Sequence, residues 1–381
     1  MHNLICLSII MMFSITAHAQ VDREAAAHYN EAVLAYKSND FESAVQAYGE
    51  AIRIDPSYYK ARYNRAKVLL RLKNYEKALA DLNRCVKLQP QEAKVWKYKG
   101  YAYMQLKDYP GAIHSYNKSL DIDPEQPDCL SNRAMAFMQE KKYDRAIGDL
   151  KQVLAEDPDQ EVATYNLALS YIKLKQQDKA LPVYARLIEM DYKADIASLE
   201  KARIHFNKGD YDLAVKELDR RLTLGDVEAE VHYMRGFSLL KQDDLAGADQ
   251  AFAKAITLNP DHKPSIQNKA FTSYKLGNYE DAVEDFSKVL KIQPADMATV
   301  LNRGLASLQL KDYGAATKDF SMVIQHDPDH ALAYYNRASA LANMSKKSKA
   351  CEDMRQSAKL GYSEAFNHIR SLCDDLNTSI D

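Results

Sequence analysis

Glycine is scarce and scattered: there are twelve in 381 residues, and no two lie closer than ten positions, as at Gly304 and Gly314. Loops that wrap phosphate need two or three glycines within about five to eight residues, so that backbone amides can turn toward an anion. P-loop and dinucleotide fingerprints are therefore excluded, and the same spacing excludes the GxSxG elbow of serine hydrolases. No HExxH occurs among the ten histidines. The five cysteines contain no CxxC pair and no Cys/His ligand spacing, which removes zinc sites and thioredoxin-type redox chemistry. Charge of one sign is missing too. A net charge of −2 with both signs well mixed gives no field for nucleic acid or an anionic membrane.

Long apolar runs are also absent, apart from Leu4 to Ala17. At about 14 residues that run falls short of the ~20 that span a bilayer as a helix, so no integral membrane span is expected. It is followed by Ala17-His18-Ala19, the small-x-small form of a signal-peptidase site, so residues 1–19 read as a signal peptide cleaved before Gln20. The expected location is exported, periplasmic or secreted, with a Gram-negative bacterium favoured over a eukaryotic secretory lumen. Export would let thiols stay oxidised.

What the chain does have is a period. Ala44, Ala78, Ala112, Ala146, Ala180, Ala214, Ala248, Ala282, Ala316 and Ala350 stand thirty-four residues apart without an insertion. A fixed period of this length means one small unit stacked many times. In register from Ala25, each unit shows two helical patterns. The first carries a small residue at its eighth place: Ala32, Ala66, Gly100, Ala134, Ala168, Ala202, Gly236, Ala270, Gly304 and Ala338. The second carries the alanine series and, four places later, a large residue such as Tyr48, Leu82, Tyr116, Phe252 or Phe320. Small residues let two helix backbones approach, and the i, i+4 neighbour fills the space beside that contact. An aromatic often marks the turn between them (Phe41, Tyr75, Tyr109, Tyr143, Tyr211, Tyr279, Tyr313), and proline closes seven units, from Pro56 to Pro328.

This small–aromatic–Ala–Tyr/Phe–Pro spacing in thirty-four residues resembles the tetratricopeptide repeat. The resemblance covers residues 25–362, with repeats starting near 25, 59, 93, 127, 161, 195, 229, 263, 297 and 331. It implies an all-α fold, a right-handed superhelical α-solenoid of about ten helix-turn-helix repeats. Residues 363–375 no longer follow the repeat and read as a capping helix, with 376–381 as a disordered tail. Cys351 and Cys373 each lie eleven residues from Tyr362, at the turn between two antiparallel helices. They are placed side by side, either as a disulfide pinning the cap or as two buried thiols.

Comparing the copies with one another adds a second expectation. The seventh place is basic in eight copies, and the twenty-third is acidic in six of those: Asp81, Asp149, Glu217, Asp285, Asp319 and Asp353. No copy has the acid without the base. The pattern predicts an ion pair between the two helices of a repeat, because a half-buried base without its acid is costly. The fifth and sixth units lack the closing proline, with Asp191-Tyr192 and Gly225-Asp226 in its place, where a change of stacking angle or neutral drift are both open.

In such arrays the first helix of each unit lines a concave wall through its positions 2, 5, 6, 9 and 13; that assignment is what the resemblance implies. Position 6 here is Asn30, Asn64, Asn132, Asn166, Asn268, Asn302 and Asn336. The column is similar to the asparagine ladder of O-linked N-acetylglucosamine transferases, and a carboxamide can pair with successive peptide bonds of an extended chain. The alternative is that Asn is simply common there. The fifty places hold ten bases and three acids. The bases crowd repeats two and three (Lys60, Lys67, Arg71, Lys94, Lys97), accompanied by Tyr63 and Tyr101. Repeats seven to ten read as greasier, with Tyr233, Phe237, Phe271, Leu301, Leu305 and Tyr335. The expected function is a non-enzymatic scaffold holding another protein, or an extended or acidic segment of one, in the groove. The alternative is a structural assembly factor of a bacterial envelope complex that works through its convex face or its ends. No cofactor, no metal and no catalytic residue is expected; His326-Asp327-Pro328-Asp329-His330, the densest group of possible ligands, occupies an ordinary junction between repeats.

Overall fold

The computed structural model describes residues 20, 23–225 and 227–377. The proposed signal segment, residues 1–19, lies outside them, as do residues 378–381 of the expected tail. The described residues form helices and no strands. They pair as expected: α1 (23–37) with α2 (Phe41–Ile54), α3 (Tyr59–Arg71) with α4 (Tyr75–Leu88), α5 (Ala93–Gln105) with α6 (Tyr109–Ile122), and α7 (Pro127–Gln139) with α8 (Tyr143–Glu156). Then come α9 (Glu161–Lys173) with α10 (Gln177–Glu189), α11 (Ala194–Lys208) with α12 (Tyr211–Thr223), and α13 (Ala229–Lys241) with α14 (Leu245–Leu258). The row closes with α15 (Lys263–Leu276) and α16 (Tyr279–Ile292), α17 (Met297–Gln309) and α18 (Tyr313–His326), α19 (Ala331–Asn343) and α20 (Lys347–Lys359), and the unpaired α21 (Ser363–Asn377). That last helix continues to Asn377, past the expected 375.

All ten alanines of the series are fully buried, and the small eighth residues of the partner helices are buried as well. The fit is tight enough to dictate residue type at three places. A Cβ on Gly100 would stand 2.6 Å from the Tyr116 ring, on Gly236 2.8 Å from Phe252, and on Gly304 2.9 Å from Phe320. These rings lie in the space a side chain would need, so each glycine is the receiving surface for the large residue opposite.

The turn between paired helices repeats one backbone device. Asn39, Lys73, Lys107, Lys141, Lys175, Gly209, Asp243, Gly277, Lys311 and Ser345, thirty-four apart, all have positive φ, from 58° to 83°. This is the left-handed residue that ends a helix, ordinarily a glycine. Here five of the ten are lysines. The residue after it caps the next helix in four of the five copies where it is aspartate: Asp40, Asp108, Asp244 and Asp312 accept backbone hydrogen bonds from Ser43, Gly111, Gly247 and Ala315, and Asp210 does not.

The predicted ion pairs form in all six copies. Arg65–Asp81, Arg133–Asp149, Arg303–Asp319 and Arg337–Asp353 are two-pronged, with donor–acceptor distances of 2.7–2.8 Å. Lys201–Glu217 closes at 2.7 Å and Lys269–Asp285 at 3.1 Å. The hydrogen bonds to Asp319 and Asp353 raise the already high pKa of Arg303 and Arg337. A spare guanidinium nitrogen reaches back sixteen residues into the preceding repeat, from Arg133 to Asn117, from Arg303 to Ser287 and from Arg337 to Ser321. Two bases lack the acid in their own repeat. Arg235 uses the backward direction alone and pairs with Asp219 at 2.6 Å. Lys99 instead lies over the Trp96 ring, 4.9 Å from its centre, and burial lowers its pKa.

The chain divides into two compact units, Met1–Tyr192 and Lys193–Asp381. The boundary falls where Asp191-Tyr192 replaces the closing proline, with Asp191 and Lys193 both left-handed.

Candidate polypeptide-binding face

In the first unit two cavities open on the face made by the first helices of repeats one to four. One, of about 270 Å³, is lined from α1 by Tyr36, from α3 by Lys67, Leu70 and Arg71, from α5 by Lys97, Tyr98 and Tyr101, and from α7 by Asp128 and Asn132. The other, of about 290 Å³, is lined by Tyr29, Val33, Tyr36 and Lys37 of α1, Tyr48 of α2, and Asn64, Lys67 and Val68 of α3. They adjoin through Tyr36 and Lys67. Six of the residues named from sequence thus meet here: Asn64, Lys67, Arg71, Lys97, Tyr101 and Asn132. Lys60 and Lys94 are exposed on the same helices, whereas Tyr63 is half-buried between Tyr59 and Tyr98, ring centres 5.9 Å away on each side. Burial pushes the Tyr63 phenol well up, and the Tyr59 phenol to about 12.

Tyr36 was not singled out from sequence. Its place in the repeat is held elsewhere by Leu70, Met104, Met138, Ile172 or Leu240, a column that reads as core. Yet it is 36% exposed and belongs to both cavities.

The asparagine column is less available than an open ladder requires. Asn64 donates to the Tyr29 hydroxyl at 3.0 Å, while Asn268 and Asn336 donate to the carbonyls of Pro264 and Leu332, one turn back on their own helices, at 2.8 Å. Asn336 is buried. Side-chain amides bound this way are satisfied within the fold. Asn132 lines the larger cavity, Asn166 and Asn302 are half-buried, and Asn30 is exposed.

Charge at the expected lining places of the first helices differs between the two units. The three acids at those places are engaged: Asp128 of the first unit with Lys97 at 2.8 Å, and in the second Glu200 with Arg203 at 2.7 Å and Glu230 with His262 at 3.4 Å. Lys275 reaches Asp243 at 4.0 Å. Among the described residues the remaining bases, Lys37, Lys60, Lys67, Arg71, Lys94, Lys173 and Lys241, form no ion pair, and all but Lys241 belong to the first unit. Arg71 is held by the Phe41 ring, 4.3 Å from its guanidinium carbon, and Lys67 lies 5.8 Å from the Tyr63 ring centre.

The second unit's counterpart is packed rather than greasy. Tyr233 contacts Phe237, Phe252 and His262, and Phe237 also meets Phe206 and Tyr211, at 5.4–6.2 Å between ring centres. Leu301, Leu305 and Tyr335 are half-buried against their cores, so of the six apolar residues expected to line that end only Phe271 is exposed. Two cavities of this unit lie instead on second helices and junctions, one lined in part by Thr317, Ser321 and Lys349, the other by Leu222, His232 and Leu258. At its far end Cys351 of α20 and Cys373 of α21 are joined as a disulfide, with Cα atoms 5.5 Å apart. Cys85 and Cys129 are free and buried; burial pushes their thiols up to about 12 and about 11. No group of three or more His, Cys, Asp or Glu able to hold a metal occurs among the described residues, and no described helix is long and apolar enough to cross a membrane. His330, in the junction cluster, caps α19 by accepting from the Ala333 amide.

Comparison with known families finds the repeat directly. A family described as "Tetratricopeptide repeat" matches residues 29–93 and 63–127, and one described as "Tetratricopeptide repeat protein 21 C-terminal ARM domain" matches residues 124–302. Neither is a catalytic family. No curated protein matches. Solved structures to which the chain is similar include a tetratricopeptide repeat protein from Parabacteroides merdae, 18% identical, covering 66% of this chain and 99% of its own, with a TM-score of 0.44. MamA is 17% identical over 44% of this chain and 92% of its own, with a TM-score of 0.43. The Naa15/Naa10 complex bound to HypK-THB matches at 16% identity over 93% of this chain and 66% of that one, with a TM-score of 0.49.

Proposed function

We propose that this chain, a tetratricopeptide repeat protein, is a non-enzymatic, exported scaffold that holds an extended or acidic segment of another protein against the first helices of repeats one to four. What supports the reading is the run of two adjoining cavities there, with aromatic walls and, beside the Lys97–Asp128 pair, the cations Lys37, Lys67 and Arg71, which form no ion pair among the described residues. Aromatic rings give contact area at small entropic cost, and a pre-formed face loses little freedom on binding. Many modest contacts along a polypeptide then add up without any single deep pocket.

Export rests on residues 1–19, and a periplasmic or secreted setting is the matching proposal; N-terminal sequencing of the mature protein beginning at Gln20 is the expected result. Photo-crosslinkers at Asn132 and at Gln250, on the second helix of repeat seven, test the choice of face. Capture of the same discrete partner by Asn132 and not by Gln250 is expected. The reverse pattern would favour the second reading, an envelope assembly factor working through its outer helices.

A further inference from the structure

We infer that the paired cavities of the first unit select a polypeptide segment in which a carboxylate side chain stands next to an aromatic or large aliphatic one. The carboxylate goes to Lys67 and Arg71, and its apolar neighbour goes against Tyr36 and Tyr101. The inference rests on the reading of this face as a polypeptide-binding face and adds the chemistry of what is bound.

Its basis is a contrast with the half-buried bases of the seventh place. Those are matched by acids at 2.6–3.1 Å in seven of eight copies, Arg235 by Asp219 among them, and the eighth, Lys99, lies over the Trp96 ring. Lys67 and Arg71 are matched by none, although Lys67 is itself half-buried. They stand four residues apart on α3, so they occupy one face a single turn from each other. Two like charges in that relation repel, a cost that a bound anion removes. Arg71 is also pre-positioned. The Phe41 ring covers one side of its guanidinium, which leaves the donor fork to meet a planar carboxylate edge-on.

The cavity itself indicates a carboxylate rather than a phosphate. On the same wall Asp128 already sits on Lys97 at 2.8 Å, so this face seats a carboxylate on a lysine in its resting state. The Asp128 charge also disfavours a neighbouring dianion more than a monoanion. The rest of the wall, Leu70 with three tyrosines, is surface for an apolar side chain. Hence the adjacent aromatic or aliphatic residue.

The test is fluorescence anisotropy on the full chain with labelled synthetic peptides: one of alternating aspartate and phenylalanine, one with asparagine for aspartate, and one with phosphoserine for aspartate. The aspartate peptide is expected to bind about tenfold tighter than the asparagine one, the factor that corresponds to one good charged contact, and the gap is expected to close at high salt. K67E/R71E removes the preference, as does K67M/R71M, which keeps the packing of the stems should reversal disturb folding. K346E/K349E, basic residues at the far turn of repeat ten, leaves it intact. Equal binding of the aspartate and asparagine peptides, or an equal loss in K346E/K349E, overturns the inference; tighter binding of the phosphoserine peptide overturns the choice of carboxylate. If the two uncharged-versus-acidic peptides bind alike and Tyr101→Ala weakens both, the face grips polypeptides and only the charge selection fails. If no peptide binds and a crosslinker at Asn132 captures nothing, the functional reading fails with it.

Discussion

The two units share one chassis and differ in what their first helices do with their side chains. Among the described residues, six bases at the lining places of the first unit form no ion pair and tyrosines such as Tyr36 and Tyr101 remain exposed; in the second, one base forms none, and Tyr233 and Phe237 pack on other rings while Phe271 stays exposed. Both keep the buried alanine series and the ion pair between paired helices. Stability and the chemistry of the exposed first-helix surface are thus written at different repeat positions. One set varies little along the row, while the other changes from unit to unit.

The largest effects fall on the shared part. Asp81→Ala in the first unit and Asp319→Ala in the second are each expected to cost about 3 kcal/mol, since each strands a half-buried guanidinium. Asp219→Ala, which removes a far more exposed partner of Arg235, is expected to cost about 1 kcal/mol. Urea unfolding of the three variants checks this, and a cost confined to one unit would break the idea of a common chassis. Next comes the end of the second unit. Replacing Cys351 and Cys373 by serine is expected to lose about 3 kcal/mol, the stabilisation expected of a loop this long, and mass spectrometry of unreduced peptides showing two free thiols would remove the staple altogether.

The first unit has its own signature in alkali. The thiols of Cys85 and Cys129 ionise near 9.0 when unburied and at about 12 and about 11 in the fold. A pKa raised on folding means a contribution fully present below pH 9 and lost as pH rises toward 11 and 12. Both thiols are expected to resist iodoacetamide at pH 9 in the folded protein and to react once it is unfolded; rapid alkylation at pH 9 would contradict the burial. The smallest effect is at the turns. Lys141→Gly is expected to stabilise by about 0.5 kcal/mol by relieving a left-handed lysine, set against the greater freedom glycine has when unfolded. A thermal melt against Gly277→Lys, expected to move the opposite way, measures it.

Much of this was legible because ten copies in one chain serve as their own comparison. The joint presence of base and acid at the seventh and twenty-third places identified six real pairs, and the shared distance of Cys351 and Cys373 from Tyr362 put them side by side. Other features depend on conformation that residue type does not reveal. Lysine is no ordinary sign of positive φ, so the turn device at Lys73 or Lys141 went unread. Whether Asn268 faces a partner or bonds the Pro264 carbonyl depends on its rotamer. The face itself was legible as a basic cluster, but which charges stay unmatched depended on contacts between repeats, such as Lys97 with Asp128, that become visible only once the copies are packed.

The backward reach of the guanidinium has a consequence for how such a row can be rebuilt. A copy cut out at its proline and inserted elsewhere takes its own carboxylate along but leaves behind the amide or hydroxyl, Asn117, Ser287 or Ser321, that receives the other arm. Its new predecessor has to offer a similar acceptor sixteen residues upstream, or the graft loses a contact at the seam. The copies are therefore not interchangeable bricks, and shuffling them is expected to favour orders in which each predecessor suits its successor.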